Sequence, residues 1–433
     1  MQRSLVLLEN MNSHFCIHID ADAFFASVEQ CLHRELRGQP VVTGRDGSIA
    51  VAMSYEAKAL GVERATPIHI IRRDFPQVHM VASDYFMYKI YSNRMLSIIQ
   101  NHLPNIKRKS IDECSGDISD VVDSFDQAYS LATIIKKELE YKLKCNFSVG
   151  ISSSPLLAKM ASGMNKPSGL TIIDVADNLD YQKVPIKKVS GLGKKICERL
   201  AAMDVVNISD FIEKYPFIKK NFSITVDDIF QQLQGETQLR FHHETLQKSM
   251  NKARSFNVTN NKDDIFGQLI INVESLLKKM RSQNMYCNKI YIGLRDTERQ
   301  SISEYIKLPT HTRDPLFIRN CIRKIFNKIF STDQAYRYVS VTLSGLEESL
   351  YTQNDLFGES QRFNRNDKLY SSIDLLDTKF GSHCLLPAST LNTPKKIGLH
   401  VKKNTLMVTE LNSLLPKETF FKRLGYPFLG SIS

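Results

Sequence analysis

The spacing of apolar positions at the start of the chain changes from that of a strand to that of a helix. Residues 15–19 form a short apolar run, FCIHI, which predicts a strand. The apolar positions that follow recur at helical spacing: Phe24, Phe25, Val28 and Leu32. Asp22 precedes them, where a carboxylate can cap a helix. The pattern predicts a strand, a tight junction and a helix.

Similar patterns continue to about residue 173. They predict helices over 85–102 and 125–143, a strand over 146–151 and a helix that begins at Pro155, because a first-turn proline loses no helical hydrogen bond. Between the first helix and residue 85, shorter runs predict a small α/β insertion, with one helix ending at Gly61. We therefore expect a mixed α/β fold.

The character of the pattern changes near residue 181, where short helices with glycine-containing turns are predicted. A separate α/β unit is expected over 243–347. Its predicted elements are strands at 289–294 and 338–343 and helices at 268–280 and 315–329. Beyond Leu346 the chain is polar and rich in Asn and Ser, with one helical patch at 369–380, so we expect a loosely attached tail.

Composition places the chain among globular proteins. It has 433 residues, 42% hydrophobic and 24% charged, which suggests about three domains. The eight cysteines show no CxxC spacing, which favours reduced, buried thiols, and no apolar run reaches the length of a membrane span. We therefore expect a cytoplasmic protein with no membrane contact.

The positive charge is concentrated in one part of the chain. The net charge is +11, and residues 243–340 contain 17 Lys and Arg against 9 Asp and Glu. Such a distribution favours a polyanionic partner such as nucleic acid. A solvated basic surface without a partner is the alternative.

Two acidic clusters carry the candidate chemistry. Asp20-Ala21-Asp22 ends the first strand, and Asp112-Glu113 lies in the run SIDE at 110–113. Carboxylates that converge at strand ends can hold two hard cations for phosphoryl transfer. Adjacent side chains in a regular strand point to opposite faces, so Asp112 and Glu113 could share a metal pair only from a bulge or a turn. Ser115-Gly116 could supply that turn. For Asp22, an ordinary helix cap is the alternative.

Several ordered motifs together resemble the Y-family DNA polymerases, the UmuC/DinB (ImpB/MucB/SamB) lesion-bypass group. The motifs are HIDADAFFASVE at 18–29, SYEAKALGV at 54–62, SIDE at 110–113, FSVGIS at 147–152, LAKMAS at 157–162, NKPSG at 165–169, VPIKKVSGLG at 184–193 and QKSMNKARSF at 247–256. The resemblance covers about residues 14–347. It implies error-prone, template-directed translesion DNA synthesis in DNA repair and the SOS response.

The resemblance also implies roles for individual residues around the reaction centre. Two Mg²⁺ ions would be held by Asp20, Asp112, Glu113 and the main-chain carbonyl of Ala21. The incoming dNTP would be contacted by Tyr55, Lys58 and Lys166. Phe25 falls on the steric gate that excludes a ribose 2′-hydroxyl, whereas Phe24 is expected to be a core residue. Packing for Tyr55 and Phe25, and solvated charge for the two lysines, are the alternatives.

Contacts with other macromolecules are implied further along the chain. Gly191, Gly193 and Lys194 resemble the phosphate-binding turn of a helix-hairpin-helix, and Lys252 and Arg254 are expected to contact primer-template DNA. In the tail, Gln353, Leu356 and Phe357 belong to a QNDLF segment that resembles peptides docking on the sliding clamp. Whether a UmuD-like accessory dimer is also a partner stays open.

The implied architecture is an α/β, or α+β, multidomain right hand. The expected parts are an N-terminal extension at 1–13, a palm at 14–31 and 85–173, fingers at 32–84, a helix-hairpin-helix thumb at 174–242, a little finger at 243–347 and a clamp-binding tail at 348–433.

Four departures from the family pattern concern the nucleotide site: Ala52, Lys58, Lys109 and Ser115-Gly116. They leave open a catalytically silent DNA- and clamp-binding subunit. A metal-dependent nuclease using the same carboxylates is a further alternative.

Overall fold

The computed structural model shows two compact units that divide between residues 241 and 242. The structure describes residues 14–45, 48–177, 179–236, 247–348, 359–380 and 385. The expected N-terminal extension at 1–13 lies outside these residues, and so does the segment 353–357. Among the described residues, no helix has both the length and the apolar content needed to cross a membrane.

The first unit is mixed α/β. In chain order its elements are β1 (Cys16–Ala21), α1 (Phe24–Leu32), β2 (Val41–Thr43), β3 (Ala52–Met53), α2 (Tyr55–Ala59), α3 (Ile68–Asp74), β4 (His79–Val81), α4 (Tyr85–His102), β5 (Lys107–Arg108), β6 (Glu113–Asp117), α5 (Phe125–Leu143), β7 (Phe147–Ser152), α6 (Pro155–Met164), β8 (Leu170–Ile173), α7 (Lys194–Ala201), α8 (Ile208–Glu213), α9 (Tyr215–Ile218) and α10 (Ile224–Leu233).

A five-stranded sheet forms the centre of this unit. Its strand order is β5-β6-β1-β7-β8, with β1 antiparallel to both of its neighbours. β1 is buried apart from half-buried Asp20, and every residue of β7 is buried. The sheet therefore fixes the two strands that carry the acidic clusters as direct neighbours.

The predicted helices and strands around this sheet are confirmed. α4 and α5 have the predicted bounds, and Pro155 occupies the first turn of α6, whose cap is the Ser154 hydroxyl. The insertion between α1 and α4 contains a three-stranded sheet, β3-β2-β4. Gly61 follows α2 with a φ of 90°, a left-handed conformation that glycine adopts without strain.

Short helices follow β8, as predicted. They surround a core of their own, in which the ring of Tyr215 stacks on that of Phe230 with centroids 3.4 Å apart. Leu156 and Leu157 of α6 belong to the same core. The short helices therefore pack against α6, which in turn covers β7 of the central sheet.

The second unit is a sheet with helices on one face. Its elements are β9 (Ser249–Thr259), α11 (Lys262–Ser282), β10 (Met285–Asp296), β11 (Ser301–Thr312), α12 (Pro315–Ile329), β12 (Tyr336–Ser344), β13 (Glu347–Glu348) and α13 (Glu359–Phe380). The strand order is β11-β10-β12-β9, all antiparallel. The strands β9 and β11 were not predicted from the sequence, and α11 is longer than predicted.

The expectation of a loosely attached tail is wrong for α13. Arg281 on α11 donates two hydrogen bonds, of 2.6 and 2.9 Å, to Asp374. Lys278 pairs with Asp377 at 3.0 Å, and Tyr370 is only 7% exposed. A composition rich in polar residues concealed this docking, because the contacts are ion pairs rather than an apolar stripe.

Close packing of α6 on β7 depends on Gly150. A Cβ atom at this position would lie 2.0 Å from the carbonyl oxygen of Ala158 and 2.3 Å from the amide nitrogen of Ser162, both in the backbone of α6. Backbone atoms cannot move aside as a flexible side chain can. Any larger residue at 150 must push α6 away from the sheet.

We expect Gly150→Ala to destabilise the first unit by about 1–3 kcal/mol or more, the range for overpacked interiors. Gly163→Ala is the matched control, since it lies in α6 itself with no atom within 4 Å of an added Cβ, and helix propensity predicts a gain of up to about 1 kcal/mol. Thermal melts of both variants measure the effect. Equal melting temperatures would contradict the close approach.

Candidate active site

The two acidic clusters meet at one end of the central sheet. Asp20 of β1 lies directly opposite Glu113 of β6 in the antiparallel register. Next to this pair, the backbone N–H of Ala21 donates to the carbonyl oxygen of Asp112 at 2.9 Å. Strand pairing thus brings together three carboxylate residues from two distant parts of the chain.

The turn that separates Asp112 from Glu113 precedes β6 rather than following it. Residues 110–112 form a bend, and Glu113 is the first residue of the strand. Ser115 and Gly116, which were expected to form the turn, pair regularly with His18 and Ile17. That expectation is wrong, because both residues continue the β6 ladder.

Two lysines neutralise the carboxylates in this structure. Lys166, in the loop after α6, pairs with Asp20, and its ammonium lies 3.5 Å from Asp22. Lys159 of α6 donates to both oxygens of Glu113, at 2.8 and 2.7 Å. Among the described residues, no three His, Cys, Asp or Glu side chains are arranged to share one metal ion. The carboxylates are therefore neighbours in the fold while their side chains face lysines.

Burial and charge shift the pKa values of these groups in opposite directions. Burial raises the pKa of Asp20, with Lys166 opposing the rise and Asp112 adding to it. The imidazole of His18 and the ammonium of Lys159 lower the pKa of Glu113 to about 2, against the effect of burial. His18 Nε2 is 3.6 Å from Glu113, longer than an ordinary hydrogen bond.

The alternative role of Asp22 as a helix cap is also wrong. Residue 23 precedes α1 in a left-handed conformation, and no side chain caps this helix. The carboxylate of Asp22 instead accepts hydrogen bonds from the Ser148 hydroxyl, at 2.9 and 2.8 Å, and from the Ser168 backbone N–H at 2.7 Å. Asp22 is 1% exposed, and these bonds join β1, β7 and the loop that carries Lys166.

The expected nucleotide-contacting residues converge on the carboxylates. Tyr55 and Lys58 lie on α2, where the Lys58 ammonium is 4.1 Å from the centre of the Tyr55 ring. Burial, followed by the negative charges of Asp22 and Asp20, raises the pKa of Tyr55 to about 12. Burial and the charge of Lys166 lower the pKa of Lys58. The structure thus brings Tyr55, Lys58 and Lys166 into one electrostatic environment.

Phe25 belongs to an aromatic group next to this site. Its half-buried ring stacks on Tyr88 at 4.2 Å and meets the edge of Tyr85 at 5.6 Å. The hydroxyl of fully buried Tyr88 donates to Glu29 at 2.5 Å. Phe24 is 5% exposed, which confirms its expected place in the core. Tyr85, Tyr88 and Glu29 were not predicted to belong to the site, although their spacing on α4 and α1 was visible in the sequence.

The glycine-containing turn expected to bind phosphate leads into α7. Gly191 has a φ of 93°, and Gly193 is the residue that caps α7 without a side-chain hydrogen bond. Lys194 is 90% exposed and lies 3.9 Å from Glu198. The turn therefore exposes Gly191, Gly193 and Lys194 to solvent.

The structure places Lys252 and Arg254 away from the open face of the second sheet. In the β9 register they lie opposite Val341 and Val339, which are completely buried beneath the helices. Both basic side chains are half-buried, and burial lowers the pKa of each. They lie on the face of the sheet that the helices cover.

The open face of this sheet carries small polar, basic and aromatic residues. Tyr291 stacks on Tyr305 at 5.1 Å, and the Arg295 guanidinium lies 4.6 Å from the Tyr338 ring centre. Lys289 and Lys307 face each other in the β10–β11 register. This surface was not predicted, because β11 was not predicted. A shallow groove on this face is lined by Ser249, Tyr291, Ile292, Gly293, Ser303, Ser340, Thr342 and Ser344.

The expected clamp-binding residues, Gln353, Leu356 and Phe357, lie outside the described residues.

Comparisons with known proteins agree with this arrangement. The impB/mucB/samB family model matches residues 19–163, and the model of the C-terminal domain of this family matches residues 247–356. The chain is 30% identical over 369 residues to a DNA polymerase IV of Ureaplasma parvum, covering 81% of this chain and 99% of that protein. A DNA polymerase IV of Lactococcus lactis subsp. cremoris is 28% identical, with coverage of 78% and 96%.

Solved structures show the same fold. A Y-family DNA polymerase chimera of Dbh and Dpo4 superposes with a TM-score of 0.67 at 22% identity, covering 77% of this chain and all of that chain. DinB from Sulfolobus solfataricus gives a TM-score of 0.51 at 22% identity, with coverage of 76% and 98%. With its acidic clusters joined at the end of the sheet, the chain belongs to the impB/mucB/samB family and is a Y-family translesion DNA polymerase.

Proposed function

We propose that the chain extends a DNA primer by two-metal nucleotidyl transfer, with Asp20, Asp112 and Glu113 as the carboxylate ligands. The observation that carries this proposal is the register of β1 and β6, which pairs Asp20 with Glu113 and joins Ala21 to Asp112. The ligand atoms are all oxygens, the type that Mg²⁺ prefers. The ammonium groups of Lys166 and Lys159 already occupy positions where positive charge is stabilised.

Each residue has a role in this proposal. Two Mg²⁺ ions would lower the barrier to attack on the α-phosphate of a dNTP and stabilise the departing pyrophosphate. Asp20 and Glu113 would exchange their lysine partners for these ions. A triphosphate at the site would compete with Asp20 and Asp22 for Lys166, and Tyr55 and Lys58 would add contacts from α2.

Phe25 is proposed as the steric gate. Its ring is held from behind by Tyr88, which Glu29 in turn fixes by a hydrogen bond. A half-buried ring that is fixed by its neighbours can exclude a 2′-hydroxyl without moving. Phe24, by contrast, is buried in the core and has no open side.

The proposed palm comprises 14–31 and 85–173, the fingers 32–84, the thumb 174–242 and the little finger 243–347. In support, the five-stranded sheet, the three-stranded sheet, the short helices α7–α10 and the second sheet fall within these ranges in that order. The tail at 348–433 is proposed to bind the sliding clamp through Gln353, Leu356 and Phe357, on the basis of the sequence alone.

DNA is proposed to bind the open face of the second sheet, because that face offers Lys289, Lys307 and Arg295 beside small side chains. Serine and glycine side chains let a phosphate approach the backbone closely. The aromatic pair Tyr291–Tyr305 adds a flat surface. This site replaces the expectation for Lys252 and Arg254, which lie on the face that the helices cover.

We expect Asp112→Asn to lower nucleotide incorporation by about two orders of magnitude or more, because a neutral amide is a poor ligand for a hard cation pair. Folding should be retained, since the amide oxygen can still accept from Ser110. Primer extension with Mg²⁺ and dNTPs measures the effect. Asp120→Asn, which changes an exposed carboxylate, is the control.

Near-normal turnover by Asp112→Asn would contradict the metal-ligand role. The alternatives of a silent binding subunit and of a nuclease do not agree with the polymerase relatives of this chain.

Phe25→Ala should raise ribonucleotide relative to deoxyribonucleotide incorporation, because the space for a 2′-hydroxyl opens. The matched variant Phe24→Ala removes a core ring and should instead cost about 3–5 kcal/mol of stability, with both activities falling together. Single-nucleotide incorporation and thermal melts of both variants provide the measurement. Unchanged sugar selectivity in Phe25→Ala would remove the gate role.

Replacing both Lys289 and Lys307 by alanine should weaken DNA binding and flatten its salt dependence, by about 0.9 in the logarithmic slope for each phosphate that is no longer neutralised. Lys328→Ala is the control, because Lys328 lies on α12 and pairs with Glu304 at 2.9 Å. Fluorescence anisotropy between 50 and 200 mM salt, roughly the range in which such phosphate interactions weaken strongly, gives both slopes.

Lys252→Ala tests the earlier expectation in the same assay. The logarithmic salt slope could instead change with Lys252→Ala and stay the same in the double Lys289 and Lys307 variant. That result would contradict DNA binding at the open face.

A further inference from the structure

Two cysteines in the first unit lie in sulfur contact. The Sγ atoms of Cys31 and Cys145 are 3.3 Å apart, although 114 positions separate the residues in the chain. Cys31 lies in the last turn of α1. Cys145 follows Lys144, which ends α5 in a left-handed conformation with a φ of 58°. The fold therefore brings together one helix end and one helix-to-strand corner through a pair of thiols.

The two thiols differ in accessibility and acidity. Cys31 is half-buried, whereas Cys145 is 4% exposed. The contact with Cys145 lowers the pKa of Cys31, with burial opposing the effect and Arg37 adding to it. The Cys31 thiol also donates to the carbonyl oxygen of Lys144 at 3.0 Å. The contact between the two thiols, together with burial, raises the pKa of Cys145. Cys31 is thus the more readily ionised and the more accessible thiol, the combination found in attacking cysteines.

We propose that Cys31 and Cys145 form a redox-active dithiol, which a low-molecular-weight disulfide such as oxidised glutathione converts to an intramolecular disulfide. The Cys31 thiolate attacks one sulfur of the oxidant, forming a mixed disulfide and releasing one glutathione thiolate. Cys145 then attacks the Cys31 sulfur and releases the second. The protein loses two electrons and two protons, and two molecules of glutathione are formed.

Disulfide formation alters the support of the polymerase site. The two sulfur atoms must approach from 3.3 Å to about 2.05 Å. The corner that holds Cys145 continues into Asn146, whose carbonyl accepts the Asp22 N–H at 2.9 Å. The segment from Asp22 to Cys31, which carries Phe25, would then be attached to this corner at both ends. The Asp22 hydrogen bond holds one end, and the Cys31 disulfide would hold the other. Oxidation should therefore disturb the position of the steric gate.

The first experiment identifies the linkage itself. The full chain, reduced and then exposed to oxidised glutathione, is alkylated and digested with trypsin and a glutamate-specific protease. Cleavage then places Cys31 in residues 30–34 and Cys145 in residues 145–159, each as the single cysteine of its peptide. We expect these two peptides to be joined, and separated again by dithiothreitol. Recovery of both as alkylated peptides after oxidation would overturn the proposal.

Single variants test the order of the steps. In Cys145→Ala the glutathione mixed disulfide on Cys31 should accumulate, because the resolving thiol is absent. In Cys31→Ala, Cys145 should remain unmodified. Glutathione on Cys145 with none on Cys31 would overturn the assignment of the attacking thiol. These readouts do not depend on polymerase activity, so they fail separately from the proposed function.

The functional consequence has its own measurement. Oxidised parent protein should incorporate nucleotides up to about a hundredfold more slowly, the cost of a displacement of about 1 Å at an active site, and dithiothreitol should restore the rate. Cys31→Ala should be insensitive to the oxidant, because it can form neither the disulfide nor a glutathione adduct at position 31. A linked protein with an unchanged rate would overturn the coupling between the dithiol and the active site.

Discussion

Neutralisation of negative charge at the end of β1 is the constraint on which the first unit depends. Four carboxylate residues lie close together at one end of the central sheet, and all are partly or fully buried: Asp20, Asp22, Asp112 and Glu113. Carboxylates in that situation repel one another and lose hydration unless cations or N–H groups face them. Lys159 and Lys166 supply the positive charge, and the Ser168 N–H supplies a donor. The packing around the site positions these three groups against the carboxylates.

Gly150 shows how packing serves that requirement. The absence of a side chain at this position lets the backbone of α6 contact β7, and this close approach sets where Lys159 reaches Glu113. The loop that follows α6 then returns along Asp22 and places Lys166 at Asp20. A change at Gly150 would therefore act on the charges of the site as well as on the stability of the unit. The site thus requires positive charge, which Lys159 and Lys166 supply in this structure.

The two faces of the sheet in the second unit differ in what covers them. Helices α11 and α12 cover one face of the sheet, and α13 docks on α11 through Arg281 and Lys278. Acidic residues of α13 are used in these ion pairs. The opposite face has Lys289, Lys307 and Arg295 with no acidic residue among the positions paired with them in the register. The open face therefore carries the basic residues on which the proposed DNA-binding surface rests.

Much of this fold could be predicted from the sequence in segments where apolar residues recur with a single period. The apolar stripes of α4, α5 and α12 predicted their bounds, and the ordered motifs identified the carboxylates and the side chains of Tyr55, Lys58 and Lys166 that lie near them. β9 and β11 could not be predicted, because exposed polar residues occupy the open face and Lys252, Arg254 and Glu304 interrupt the apolar pattern of the covered face. Local sequence carries no mark of an edge strand whose covered face includes charged residues.

The sequence also could not predict which side chains pair with each other in the site, for a different reason. A lysine at 159 could lie in solvent or against any acid, and only the approach of α6 at Gly150 selects Glu113. Asp22 illustrates the same limit: its position before a helix predicts a cap, yet a left-handed residue at position 23 turns the carboxylate toward Ser148. Cys31 and Cys145 are likewise ordinary thiols in the sequence and neighbours only in the fold. Residue types identify which chemistry is available, whereas the close approaches of backbone segments decide which groups act together.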